Sequence, residues 1–376
     1  MLDNVMKTAP AVFAVGDMYQ IITPVAHNCI MWAEVDGESY FDASNGIMRS
    51  QVTIHRISVP KARLDKAKKY TICYRKEIDR KPYFPEFEET VSLEFEFNPV
   101  PSGDVRAYQI ADAHCMVDAP LDALRVFEKA KGKIDFLIMN GDIPDHSGEI
   151  ENFDTIYEIA DKATGGKIPI VFARGNHDMR GIYAECIADY TPNRNGNTYF
   201  TFRIGDIWGM VLDCGEDKDD CHPEYGGTVC SHSFRKEQTA FIKEVINSRE
   251  FCDETIAHRL IVVHNPFTEL LKPPFDIEKE VYTEWAELIR ENIKPDLMMC
   301  GHFHRLGINM PGDESDHLGH PCPVVIGSKP EKWGDKENMY YAGCGIELSQ
   351  DGITVHFADN QGKISENHIQ SKMNRN

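Results

Sequence analysis

Residues 168–178 read Ile-Pro-Ile-Val-Phe-Ala-Arg-Gly-Asn-His-Asp, a short β-branched apolar run closed by a glycine and three polar side chains. An unbroken apolar run of this length suits a strand buried on both faces, as in a parallel sheet. Such a strand delivers Asn176, His177 and Asp178 to the rim of its sheet. Three further runs share the plan: residues 134–139 end in Gly141-Asp142, residues 260–263 in His264, and residues 297–300 in Gly301-His302-Phe303-His304. Open α/β sheets bind ligands beyond the carboxyl ends of their strands, so these endings are expected to converge on one site.

On either side of that run the chain alternates strand and helix. Residues 105–110 and 136–139 read as strands; residues 120–131 read as a helix with Leu121, Leu124, Phe127 and Ala130 on one face. A second helix, around residues 149–162, buries Ile150, Phe153, Ile156 and Tyr157, and the alternation predicts a layered α/β domain. Residues 199–204 and 207–212 form a hairpin pattern across Gly205-Asp206, and helices are expected at 234–248 and 279–293. Strands at 324–326, 339–348 and 353–357 are expected to complete a second sheet, and the last dozen residues to fray. Residues 213–227, Asp-Cys-Gly-Glu-Asp-Lys-Asp-Asp-Cys-His-Pro-Glu-Tyr-Gly-Gly, are acidic and glycine-bounded. They read as a solvated loop; the competing reading is a lid bringing His222 and Tyr225 over a substrate.

Toward the amino end the pattern becomes all β. Short strand-like runs at 12–15, 19–23, 29–35, 52–59, 70–74 and 91–97 are separated by turn signals such as Asp36-Gly37 and Asn45-Gly46, which predicts a small sandwich. Leu64, six residues before Tyr70, resembles the tyrosine-corner region of fibronectin type III domains. Arg75, Lys76, Arg80 and Lys81 read as an edge strand that resists pairing. Asn98-Pro99-Val100-Pro101-Ser102-Gly103 is a stiff linker by composition, dividing the chain into 1–102 and 103–376.

The bulk numbers narrow the function. A chain of 376 residues holds two domains comfortably. A formal charge of −20 argues against nucleic acid or an anionic membrane as partner. The first sixteen residues do not resemble a secretory signal, and no window approaches the ~20 apolar residues of a membrane span. Eleven scattered cysteines suit reduced thiols in the cytoplasm. Cys221-His222 and Cys230-Ser231-His232 invite a zinc reading, but their spacing matches no standard finger and free thiols are the simpler account.

Read in order, the strand endings are Asp112-Ala113-His114, Gly141-Asp142, Gly175-Asn176-His177-Asp178, His264 and Gly301-His302-Phe303-His304. Together they resemble the calcineurin-like metallophosphoesterase family, whose signature is D-x-H, G-D, G-N-H-[D/E], H and G-H-x-H, over residues 104–310. A sandwich set before such a domain is similar to the layout of purple acid phosphatases. The resemblance implies a two-sheet αββα fold and two metal ions. One ion would be held by Asp112, His114, Asp142 and His304, the other by Asp142, Asn176, His264 and His302, with His177 as proton donor to the leaving oxygen.

The residue chemistry fits that implication. Carboxylate, imidazole and amide donors suit divalent or trivalent Mn, Fe, Zn or Co. Asp142 is the natural bridge between cations ~3.5 to 4 Å apart, and a hydroxide between them would attack phosphorus. Asp178 is expected to orient His177 or anchor its turn. Arg180 is expected either to clamp a phosphate oxygen or to form a surface salt bridge. Asp145 stands where purple acid phosphatases carry the iron-binding tyrosine, three residues after the bridging aspartate. The expected activity is hydrolysis of a small phosphomonoester; the alternatives are a small phosphodiester or a non-catalytic scaffold. A scaffold has no need of His177 and all seven ligands.

Overall fold

The computed structural model describes residues 4–331 and 339–369. At its centre two sheets face each other. The larger has the strand order Asn367–Ile369, Gly352–Asp359, Tyr340–Ser349, Val105–Ile110, Phe136–Asn140, Ile170–Ala173, Ala11–Val15, Met18–Pro24, Ile54–Pro60. The smaller runs Phe200–Ile204, Ile207–Leu212, His258–Val263, Leu297–Cys300, Val324–Gly327, Leu306–Asn309.

Ala107, Ile138 and Val171 of the larger sheet meet Val211, Val262, Met299 and Val325 of the smaller in one core. On the outer face of the larger sheet, Leu124, Phe127 and Tyr157 from helices Asp118–Lys131 and Asp154–Thr164 cover Ile110, Leu137 and Phe172. Ile242 and Trp285, from helices Ser231–Ser248 and Lys279–Leu288, do the same for Met210, Ile261 and Met298. Central strands are therefore buried on both sides, which is why their sequences run apolar without alternation. The layers are the expected αββα.

Val105–Ile110, Phe136–Asn140 and Ile170–Ala173 are parallel neighbours, as are Ile207–Leu212, His258–Val263 and Leu297–Cys300. One expectation is corrected here: Tyr340–Ser349 and Gly352–Asp359 join the larger sheet, because Tyr340–Ser349 runs antiparallel to Val105–Ile110. A hairpin's own pattern does not say which sheet receives it. Of the expected tail, Asn367–Ile369 pairs as a strand, and residues 370–376 lie outside the described residues.

The all-β region is present, but one of its two layers is the edge of the larger sheet. Ala11–Val15 runs parallel to Ile170–Ala173, with Phe13 opposite Ile170. The other layer, built on Cys29–Val35, Lys69–Asp79 and Val91–Glu96, turns Met31, Ala33, Ile72 and Tyr74 into the core that also contains Val171. The linker at 98–103 thus divides the sequence without dividing the sheet. Tyr70 donates its hydroxyl to the carbonyl of Gly166 at 2.9 Å, tying the two regions together rather than closing a corner in its own sandwich. Lys69–Asp79 lies between Cys29–Val35 and Val91–Glu96, so its basic residues are not on an edge. Arg75 donates to the carbonyl of Glu88 and Lys81 pairs with Glu86. Among the described residues no helix is long and apolar enough to cross a membrane.

Candidate active site

Each expected ligand follows the end of a central strand: Asp112 and His114 after Val105–Ile110, Asp142 after Phe136–Asn140, Asn176 after Ile170–Ala173, His264 after His258–Val263, and His302 and His304 after Leu297–Cys300. Leaving a buried strand sharply forces the backbone into the left-handed region, and Asp112, His114, Asp142, His302 and His304 have φ of 52°, 44°, 52°, 67° and 50°. Such a conformation costs about 1–3 kcal/mol per non-glycine residue and persists only where the surroundings enforce it. Glycine is needed beside them: a Cβ on Gly175 would lie 2.2 Å from Oδ1 of Asp142, and one on Gly141 would lie 2.5 Å from Nδ1 of His264.

The structure brings all seven side chains together. Nε2 of His304 lies 3.2 Å from Nε2 of His114 and 3.3 Å from Oδ1 of Asp112. Nε2 of His264 lies 3.1 Å from Oδ2 of Asp142, and Nδ1 of His302 lies 3.0 Å from Oδ1 of Asn176. Three groups could each hold an ion: Asp112, His114 and His304; Asp142, His264 and His302; and His114, Asp142 and His177. Asp142 belongs to the second and third and so stands between the two halves of the cluster.

A cation fits these donors. His264 donates Nδ1–H to the carbonyl of Asn140 at 2.7 Å, which turns Nε2 toward the carboxylates. That nitrogen is fully buried, close to Asp142 but off the line of a hydrogen bond, and has no hydrogen-bond partner. A buried ring nitrogen without a good partner among carboxylates is what a bound metal resolves; in the metal-free protein the carboxylates hold a proton there, and a cation would take its place.

The charges of the metal-free cluster are mutually adjusted. Burial opposes charge on His264, but Asp142 and Asp112 outweigh it and lift the ring to about 10. Burial and the neighbouring His264 press His302 down to about 4. Asp178, pushed up to about 7 by burial and by Asp142, accepts from the backbone N–H groups of Gly175 and Asp142 at 2.6 and 3.2 Å. Of its two expected roles it therefore takes the second and anchors the turn.

His177 sits against this cluster. Its backbone N–H donates to Oδ1 of Asp142 at 2.8 Å, and its Nδ1 lies 2.8 Å from the carbonyl of Asp145. A carbonyl can only accept, so the proton is on Nδ1 and Nε2 accepts from Nη1 of Arg180 at 3.1 Å. Burial is the main cause of a pKa below the usual imidazole value. Asp145, in addition, places Oδ1 3.1 Å from Nδ1 of His114.

Arg180 is not a free clamp. Its Nε and Nη2 donate to Oε1 and Oε2 of Glu216 at 3.0 and 2.9 Å, and Nη2 lies 3.6 Å from Asp217. Glu216 is only 2% exposed, which corrects the solvated-loop reading for 213–218, whereas 219–227 lie largely at the surface with Tyr225 turned in. Arg180, Tyr225 and Arg235, the last donating to the carbonyls of Cys214 and Glu216, fold the acidic segment against the site. Asp217 comes within 3.9 Å of Nε2 of His302. His222 is not brought into the cluster: its Nδ1 accepts from the N–H of Glu224 and caps the turn Pro223–Tyr225. Asp145, Glu216, Asp217 and Ser328, whose hydroxyl donates to Asp112, are site residues that sequence reading did not assign. Their partners lie far along the chain, and only Asp145 had a signal, its place after Asp142.

The model of the calcineurin-like phosphoesterases matches residues 105–306. A curated relative, a probable cyclic nucleotide phosphodiesterase of Rhodopseudomonas palustris, is 25% identical over 233 residues, 59% of this chain and 77% of the relative. Among solved structures, a purple acid phosphatase from seeds of yellow lupin (Lupinus luteus) superposes with a TM-score of 0.59 at 12% identity, over 97% of this chain and 75% of that one. This last likeness is one of fold.

Proposed function

The chain belongs to the calcineurin-like phosphoesterase family, a family of metal-dependent hydrolases, and on that premise we propose that it cleaves a small phosphodiester with a pair of transition-metal ions. Asp112, His114, Asp142 and His304 would hold one ion, and Asp142, Asn176, His264 and His302 the other. Mn, Fe, Zn or Co suits this mixture of nitrogen and oxygen donors. The ions supply Lewis acidity toward the phosphoryl oxygens and toward a water. His177 supplies the group nearest the leaving oxygen, with its ring fixed by Asp145 and Arg180.

The observation that carries the diester reading is the bidentate Arg180–Glu216 pair. A phosphomonoester dianion presents a third charged oxygen that wants a cation, and the one guanidinium beside His177 is already neutralised. Asp217 adds negative charge on the same side. A diester, whose third oxygen is esterified, fits that wall better than the monoester to which the sequence alone leads. The name of the Rhodopseudomonas palustris relative agrees with this choice. All eleven cysteines are free thiols, which supports a reducing, cytoplasmic setting.

The test is kcat/KM of the metal-loaded protein for bis(para-nitrophenyl) phosphate against para-nitrophenyl phosphate. A higher value for the diester is expected. A higher value for the monoester would return the assignment to a phosphatase, and no turnover of either would remove the hydrolase reading.

A further inference from the structure

Nε2 of His177 faces Nη1 of Arg180, and Arg180 lies in the wall of a cavity of about 820 Å³. The cavity opens between two segments: Met179, Ile182 and Ala184 on one side, Val229 and Phe234 on the other. Most of this surface is apolar, and Ile182 at its mouth is 69% exposed, a large aliphatic side chain left in water. From the proposed function, the oxygen that leaves phosphorus must come within reach of the His177 ring, and Arg180, which contacts that ring and lines the cavity, is the residue that joins the two.

We propose that this cavity is the leaving-group subsite and that it takes an uncharged, flat apolar body, an aryl or nucleobase-like ring. The volume is far larger than an alkyl stub needs, and sites of several hundred cubic ångströms with a few polar anchors are those that hold drug-sized ligands. The charges of the wall exclude the main competitor, a leaving group that carries further phosphates. Arg180 is committed to Glu216, and Arg174, the other cation of the wall, is paired with Asp213 at 2.6 Å. Glu224, also in the wall, holds Lys218 at 2.7 Å, and Glu185 stands exposed beside the mouth. Nothing in the wall offers an uncommitted positive charge to a second phosphate, whereas Phe234, already under the guanidinium of Arg174, offers a ring face.

The inference rests on the hydrolase reading and is tested with two readouts, one of which needs no turnover. Ala184→Trp and Val229→Trp fill the cavity from opposite sides and from different segments, so misfolding of one leaves the other informative. In the metal-loaded protein each should lower the ratio of kcat/KM for α-naphthyl methyl phosphate to that for trifluoroethyl methyl phosphate by about tenfold or more. Calorimetric binding of α-naphthol to the wild-type protein should be saturable and should weaken by a similar factor in both variants. Unchanged ratios, or α-naphthol binding that the tryptophans do not alter, would overturn the subsite. If neither ester is hydrolysed while α-naphthol binding is lost in the variants, the cavity is an aryl-binding site as proposed, but its role as a leaving-group subsite falls with the hydrolase reading.

Discussion

The carbonyl of Asp145 accepts the Nδ1 proton of His177 at 2.8 Å, and this one bond leaves Nε2 as the nitrogen that the proposed mechanism would use. In the resting protein that nitrogen, Nε2, accepts from Arg180, so donating to a leaving oxygen requires a second proton on the ring. The demand is greatest for alcohols that leave badly. His177→Ala should therefore slow alkyl esters by about a hundredfold or more and para-nitrophenyl esters far less, at unchanged metal content. Equal losses on both would remove the proton-donor role.

The Arg180–Glu216 pair makes a second prediction. Glu216→Gln keeps the side chain's shape and one acceptor but releases the guanidinium's charge toward the phosphoryl group. The ratio of monoester to diester kcat/KM should rise about tenfold, the scale of one charge-assisted contact. A ratio that stays put would mean that the pair does not set the ester preference.

His264 sets the pH dependence of metal uptake. Its folded, metal-free pKa of about 10 is raised, so the stability it contributes is fully present below its unfolded value of about 6.5 and is lost as pH rises through about 10. A cation requires the neutral ring, so uptake expels that proton and affinity should climb about tenfold per pH unit across the same window. Calorimetry near pH ~7.5 in buffers of different ionisation enthalpy should report release of about one proton or more. Metal binding with no proton release would contradict the assignment.

Removing residues 1–101 tests whether the first sandwich can be separated. The deletion strips Ala11–Val15 from the edge of Ile170–Ala173, the strand that carries Asn176 and His177, and uncovers Val171 in the shared core. The remaining chain should lack a cooperative thermal transition. A fragment that unfolds cooperatively and still binds metal would show the two regions to be independent.

What was legible in the sequence follows from distance along the chain. Asp112, Asp142, Asn176, His264 and His302 could be read because each breaks a local apolar run, and the run itself tells that a buried strand has ended. Glu216 could not, since the guanidinium that buries it belongs to Arg180, and without that partner an acidic segment looks solvated. The junction of the first sandwich was hidden for the same reason: Phe13 pairs with Ile170 from far away along the chain, and no window contains both. His222 misled because a histidine in a polar loop carries no mark separating a cap from a ligand.

The central claim is that seven side chains grip two cations with Asp142 shared between them, and anomalous diffraction at the absorption edge of the bound metal tests it most directly. Crystals of the metal-loaded protein should show two peaks, each about 2.0–2.3 Å from its ligands, with Asp142 touching both. One peak, or two with no common ligand, would contradict it.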